Sequence, residues 1–274
     1  FCGTGKSHVM SQGSFLRDAR VVVYVFPSLG LIKQFTTTYL GDVAKPVLCV
    51  SSEAGATTDS ATIRRFFGEN AGTPIVVAVT YQSMKTFWEN VPSPVDVVCF
   101  DEAHHVVAPS YQPLVFNNPL IRRAVFFTAT PVNENGVVMH DSDHPERSHC
   151  GPLAYEYNYL RGVAEGYLNP FDVRVDFFLV PEAAAAATTT TTIRIYESIA
   201  RAVATSGNTR VLTFHADVNN AESDTSVSNF VDEAALRDAF RRVYAAEFSD
   251  VAVPTGVRMV ALSSSSSARE RDAI

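Results

Sequence analysis

Apolar residues along the chain gather in short unbroken runs, at residues 21–26 (VVVYVF), 46–50 (PVLCV), 75–79 (IVVAV), 95–100 (VDVVCF) and 124–128 (AVFFT). These runs are rich in β-branched Val and continuous rather than alternating, the pattern of strands buried on both faces of a parallel sheet. Between them lie about 10 to 20 residues of mixed, helix-compatible sequence, the separation expected of right-handed crossover units. The fold class this predicts is α/β. A polar stretch over 133–150 ends the first set, and residues 155–170 (YEYNYLRGVAEGYLNP) lead into a second one. There the pattern predicts strands at 171–180, 210–214 and 256–262, a helix over 182–205 and a helical stretch ending near Phe248. Within 182–205 a run of five Ala followed by five Thr, at 183–192, pulls in opposite directions, since Ala favours helix and the Thr run weakens it. Five consecutive Ser follow at 263–267. Two domains are expected, over 1–168 and 169–274.

Composition narrows the classes. With 46% hydrophobic and 19% charged residues in 274, and only 14 Gly and 14 Pro, the chain has the makings of packed cores and not of a disordered tract. Its longest apolar stretch, 21–32, is broken by Pro27, Ser28 and Gly30, so no membrane-spanning helix is expected. A formal charge of -7 excludes a protein that coats nucleic acid through bulk electrostatics; any such contact must be local. Cys2, Cys49, Cys99 and Cys150 show no paired spacing, and two of them sit in strand-like runs, which favours an intracellular setting. Phe1 opens directly onto a motif, so the chain reads as a fragment.

That motif is Gly3-Thr4-Gly5-Lys6-Ser7, placed before a helical segment. A Gly-rich turn lets backbone N–H groups approach a triphosphate, while the helix N-terminus adds positive potential. Lys6 would neutralise the β- and γ-phosphates of ATP, and the Ser7 hydroxyl would ligate Mg²⁺. The alternative is an ordinary glycine turn. A second signal, Asp101-Glu102-Ala103-His104, directly follows the run at 95–100, at the C-terminal edge of a parallel sheet where α/β ligand sites lie. Asp101 suits a Mg²⁺ ligand, because Mg²⁺ takes oxygen donors and shares them with substrate phosphates. Glu102 is then placed to orient the attacking water. On the alternative reading the two acids only cap the following helix.

In this order and spacing the three elements GTGKS, DEAH and Thr128-Ala129-Thr130 resemble motifs I, II and III of superfamily 2 helicases of the DEAD/DEAH type. Phe26-Pro27-Ser28-Leu29 with Gln34 is similar to motif Ia. Thr80-Tyr81-Gln82-Ser83 resembles the TYQS element of helicases related to type III restriction-enzyme motor subunits. Residues 211–215 (VLTFH) resemble motif IV, and 261–271 resemble the stretch leading to motif V. The resemblance implies two RecA-like P-loop domains with mainly parallel sheets, the second incomplete, with motifs V and VI not reached by Ile274. It further implies an ATP- and Mg²⁺-dependent motor on DNA or RNA. His104, Thr128 and Thr130 would couple the nucleotide site to the strand, and Pro27, Ser28, Thr80 and Ser83 would touch the phosphodiester backbone. Such contacts hold a strand without reading its sequence. Ser28 is also a good helix N-cap in its own right. The reading is a helicase or translocase; the alternatives are the motor subunit of a restriction system and a nucleotide-dependent binding module without turnover.

Outside those motifs, His140, His144, His149 and Cys150 could offer ligands to zinc, but acids crowd the same stretch and a solvated loop is the expectation. Tyr155, Tyr157, Tyr159, Tyr167 and Phe171 are expected to be packed. His105 has no assigned role.

Overall fold

The computed structural model describes residues 3–41, 45–53, 55–132, 136–140, 150–171, 175, 184–207 and 233–254. The chain divides into two compact units, Phe1–Phe171 and Asp172–Ile274.

In the first unit, strands β1 (Val21–Phe26), β2 (Val47–Val50), β3 (Ile75–Thr80), β4 (Val97–Phe100) and β5 (Ala124–Phe126) form one sheet of order β2-β3-β1-β4-β5. Every pairing is parallel. Because side chains alternate across a strand, successive residues enter two separate cores. Val23, Val25, Val77, Val79, Val98 and Phe100 pack on one face with Ile63 and Phe67 of α3 (Ser60–Glu69) and Phe87 and Trp88 of α4 (Met84–Trp88). Val22, Tyr24, Phe26, Val76, Val97 and Cys99 pack on the other face. There they meet Met10 of α1 (Lys6–Gln12) and Leu29, Ile32 and Phe35 of α2 (Leu29–Tyr39). Both faces are covered, which is why the strand sequences run apolar without alternation. Burying one such Val or Phe side chain contributes about 1.5–3 kcal/mol.

β4 and β5 are each two residues shorter than their apolar runs. β4 starts at Val97 because the Asp96 carboxylate turns to accept the backbone N–H groups of Arg20 and Val21, both at 2.9 Å, while Val95 makes only an isolated bridge to Ile121. β5 ends at Phe126 because Thr128 turns away and closes on Thr130. Short helices α5 (Gln112–Val115) and α6 (Tyr159–Ala164) complete the unit.

In the second unit, α7 (Ala184–Ser206) and α8 (Glu233–Glu247) pack through Tyr196, Ala200, Leu236, Phe240, Val243 and Tyr244. Arg201 bridges to Glu247 at 2.8 Å. The expected strands at 210–214 and 256–262 lie outside the described residues, as does all of 171–180 apart from Phe171 and Val175. No helix among the described residues is long and apolar enough to cross a membrane.

Candidate nucleotide site

All five strands point the same way, so their C-terminal ends share one edge of the sheet, the edge at which ligands bind in open α/β folds. β1 delivers Pro27 and Ser28 there, β3 delivers Thr80 to Ser83, β4 delivers Asp101 and Glu102, and β5 leads to Thr128 and Thr130.

The glycine turn reaches the same place. Gly3 and Gly5 have φ of 76° and 84°, a left-handed backbone that favours glycine. Gly5 precedes α1, whose first residues are Lys6 and Ser7, and no side chain caps that helix. A Cβ on Gly5 would meet nothing within 4 Å, whereas one on Gly3 would approach Leu168 at 3.3 Å. The turn is thus open at Gly5 and backed by apolar packing at Gly3. Lys6 lies near enough to Asp101 for its charge to favour the ionised carboxyl.

Asp101 continues β4, its N–H donating to the Val25 carbonyl at 2.9 Å, and it is 8% exposed. Burial pushes its pKa above the ordinary carboxylate value; the Glu102 backbone N–H opposes that shift, the Glu102 charge adds to it, and Lys6 opposes it. Glu102 adopts φ 45° and ψ 50°. For a residue with a side chain that conformation costs about 1–2 kcal/mol and persists where its surroundings impose it. The carboxylate of Glu102 makes no cap bond to the short 3₁₀ helix Ala103–Val107, so the capping alternative fails for it. Its Oε2 lies 3.5 Å from His104 Nδ1. The same ring nitrogen lies 3.1 Å from Thr128 Oγ1 and 3.2 Å from Thr130 Oγ1. One imidazole therefore joins Glu102 to the turn that follows β5.

The residues expected to touch a strand divide into two pairs. Pro27 and Ser28 are half-buried, and Ser28 caps α2, its Oγ accepting from Leu31 N–H at 3.4 Å. Thr80 and Ser83 are both buried, and the Thr80 hydroxyl donates to Ser83 Oγ at 3.1 Å, closing the turn after β3.

The expectation for the aromatic residues before the second unit is corrected. Tyr155, Tyr167 and Phe171 are exposed. Their neighbours are local: Tyr155 stacks on Tyr157, Tyr159 tilts on Phe171, and Arg161 lies 5.0 Å over the Tyr157 ring. Residues 153–158 form no helix or strand, so no periodicity turns these rings toward one core. Of the candidate zinc ligands, His144 and His149 lie outside the described residues; His140 Nδ1 sits 3.0 Å from the Gly151 carbonyl.

Tyr81, inside the TYQS element, carries no expected role from the sequence. Its hydroxyl donates to the Asp101 carbonyl at 2.8 Å, and His105, also unassigned, lies against its ring at 5.3 Å. The available signal is a polar-tipped aromatic just past the apolar run 75–79, whose hydroxyl must find a partner when buried.

Residues 1–133 match the family ResIII, the res subunit of type III restriction enzymes. This segment is a helicase-like member of superfamily 2. Among solved structures the chain is similar to a nuclease-deletion mutant of the Type ISP restriction-modification enzyme LlaGI in complex with a DNA substrate mimic. That likeness has 21% identity and a TM-score of 0.49, and covers 60% of this chain and 16% of the other. No curated protein matches. The helicase-like segment holds all the residues of the sheet edge described above, from Gly3 to Thr130.

Proposed function

We propose that the protein is an ATP-hydrolysing motor of the restriction-system type, a translocase or helicase that couples Mg-ATP turnover to movement on nucleic acid. The observation that carries this reading is the meeting of Lys6 and Asp101 at one sheet edge, with Glu102 tied through His104 to the Thr128 turn. The Asp101 carboxylate, near Lys6, and the hydroxyl of Ser7, the residue that follows Lys6, are both hard oxygen donors, which fits Mg²⁺. Ser7 and Asp101 would hold the ion, and the ion would neutralise charge on the β- and γ-phosphates.

Gly3, Thr4, Gly5 and Lys6 bind the triphosphate in this reading, by backbone N–H groups and the ammonium charge. Glu102 orients the attacking water and takes its proton. His104 holds Glu102 and, through Thr128 and Thr130, feels the state of the loop after β5. Pro27, Ser28, Thr80 and Ser83 are the candidates for contact with the phosphodiester backbone, Thr80 and Ser83 through their peptide groups since their side chains are buried, and Ser28 while still capping α2.

The test is Glu102→Gln in the intact protein. ATP binding is expected to persist while nucleic-acid-stimulated hydrolysis falls by about 10² or more, the contribution of a positioned general base. Nucleotide titration and steady-state phosphate release measure the two. Turnover that survives the substitution removes Glu102 from its role. A wild-type protein that binds nucleotide and nucleic acid without turnover would be the binding module instead.

A further inference from the structure

Tyr81 stands on the short 3₁₀ turn Tyr81–Ser83 that follows β3. β3 and β4 are not neighbours, since β1 lies between them. The Tyr81 hydroxyl nevertheless reaches across the end of β1 to the last turn of the β4 line, donating to the Asp101 carbonyl at 2.8 Å. Little freedom is left to it. The side chain is 2% exposed, its ring tilts on Phe100, His105 and Tyr111 at 6.5, 5.3 and 5.3 Å, and the buried Thr80–Ser83 hydroxyl pair locks the turn beneath it.

The carbonyl it holds belongs to the peptide that joins the two acids. The N–H of that same peptide, on Glu102, faces the Asp101 carboxylate. Beyond it, Glu102 is left-handed, and the next N–H, on Ala103, donates to Phe127 at 2.8 Å. The strained residue is thus clamped on both sides, by Tyr81 before it and by the β5 line after it. A left-handed non-glycine residue needs this kind of over-determination.

We infer that Tyr81 is a positioning residue for hydrolysis: its hydroxyl orients the Asp101–Glu102 peptide, and so sets where the Glu102 carboxylate stands. This rests on the reading of Glu102 given above. Tyr81 acts through the backbone and touches neither nucleotide nor water. The network also gives the turn after β3 a line to the acidic pair without passing through His104.

Tyr81→Phe keeps the ring and removes one hydroxyl. In the intact protein with saturating nucleic acid, kcat for ATP is expected to fall about tenfold, the effect of one hydrogen bond, with KM changed less than about twofold. Tyr111→Phe removes a hydroxyl from the adjoining ring of the same cluster and is expected to leave kcat within about twofold, which a merely structural role would not separate. In the Glu102→Gln background, adding Tyr81→Phe should lower residual hydrolysis no further, because residues that act as a unit are not additive. Assays are run below the melting temperature of each variant, found by thermal unfolding. A wild type that hydrolyses while Tyr81→Phe keeps its kcat, or loses kcat and KM together, overturns the positioning role alone. A wild type that does not hydrolyse Mg-ATP overturns this inference and the proposed function together.

Discussion

The surroundings of Asp101 disfavour its ionised form. Burial raises its pKa, and the nearby Glu102 charge raises it further, with only a backbone N–H and Lys6 opposing. The folded state therefore binds the Asp101 proton more tightly than the unfolded chain does. Stability from this group declines as pH rises from the ordinary value of 3.8 through the folded pKa, and above that the full destabilisation is present. Asp101→Asn removes the charge and keeps an acceptor for the Glu102 N–H. At pH 7.5 without nucleotide its Tm is expected to exceed that of wild type by about 2–4 °C, the shift that roughly 1 kcal/mol produces in a domain of some 150–250 residues. With Mg-ATP the order should reverse, since ligand binding stabilises only the chain that binds. Thermal unfolding with and without Mg-ATP checks both signs. A variant equally stabilised by Mg-ATP would mean that Asp101 does not hold the ion.

At the scale of elements, the edge opposite the candidate site is organised by Asp96. Its carboxylate accepts from the Arg20 and Val21 N–H groups and from Arg122 at 2.8 Å, tying the entry of β1 to that of β4. Burial pushes the Asp96 pKa up, but those two backbone N–H groups and Arg122 outweigh it, and the net direction is down. The sign is opposite to that of Asp101. The stabilisation is complete above the ordinary value of 3.8 and is lost as pH falls through the lower folded value. Asp96→Asn should cost about 1–2 kcal/mol at neutral pH, the loss of charge on hydrogen bonds that are otherwise charge-assisted. The difference from wild type should vanish in acid. Urea unfolding across the acid range measures it, and a difference that did not narrow would show that the charge is not what ties β1 to β4.

For the molecule as a whole, the formal charge of -7 confines any nucleic-acid contact to a local part of the surface. The proposed contacts are Pro27 and Ser28, half-buried at the end of β1, and the turn at Thr80 and Ser83, whose side chains are buried. Contacts of that kind meet the phosphodiester backbone and carry no base readout. Several oligonucleotides of unrelated sequence are therefore expected to stimulate ATP hydrolysis by the intact protein alike, at one stated salt concentration, since phosphate contacts are salt-dependent. Stimulation restricted to one sequence would require base contacts that backbone-only recognition does not supply.

What the sequence determined by itself was local or periodic. Continuous Val-rich runs can be stable only where both faces are covered, and that pointed to parallel strands at 21–26 and 75–79, the second of which the structure carries on to Thr80. The glycines at 3 and 5 marked a turn, and the turn is there, with positive φ at both. A parallel sheet then carries every strand end to one edge, so Lys6, Asp101 and the Thr128 turn could be placed together from order and spacing. What only the tertiary structure decided was which way individual side chains turn. Thr80 and Ser83 could face solvent or each other on the same backbone, and burial behind β3 turned them inward. Asp96 reads as one polar residue in an apolar run until β1 is seen to end its N–H groups on it. Tyr81 finds its acceptor two strands away, across β1, and no spacing along the chain encodes a bond whose length depends on how the sheet is ordered.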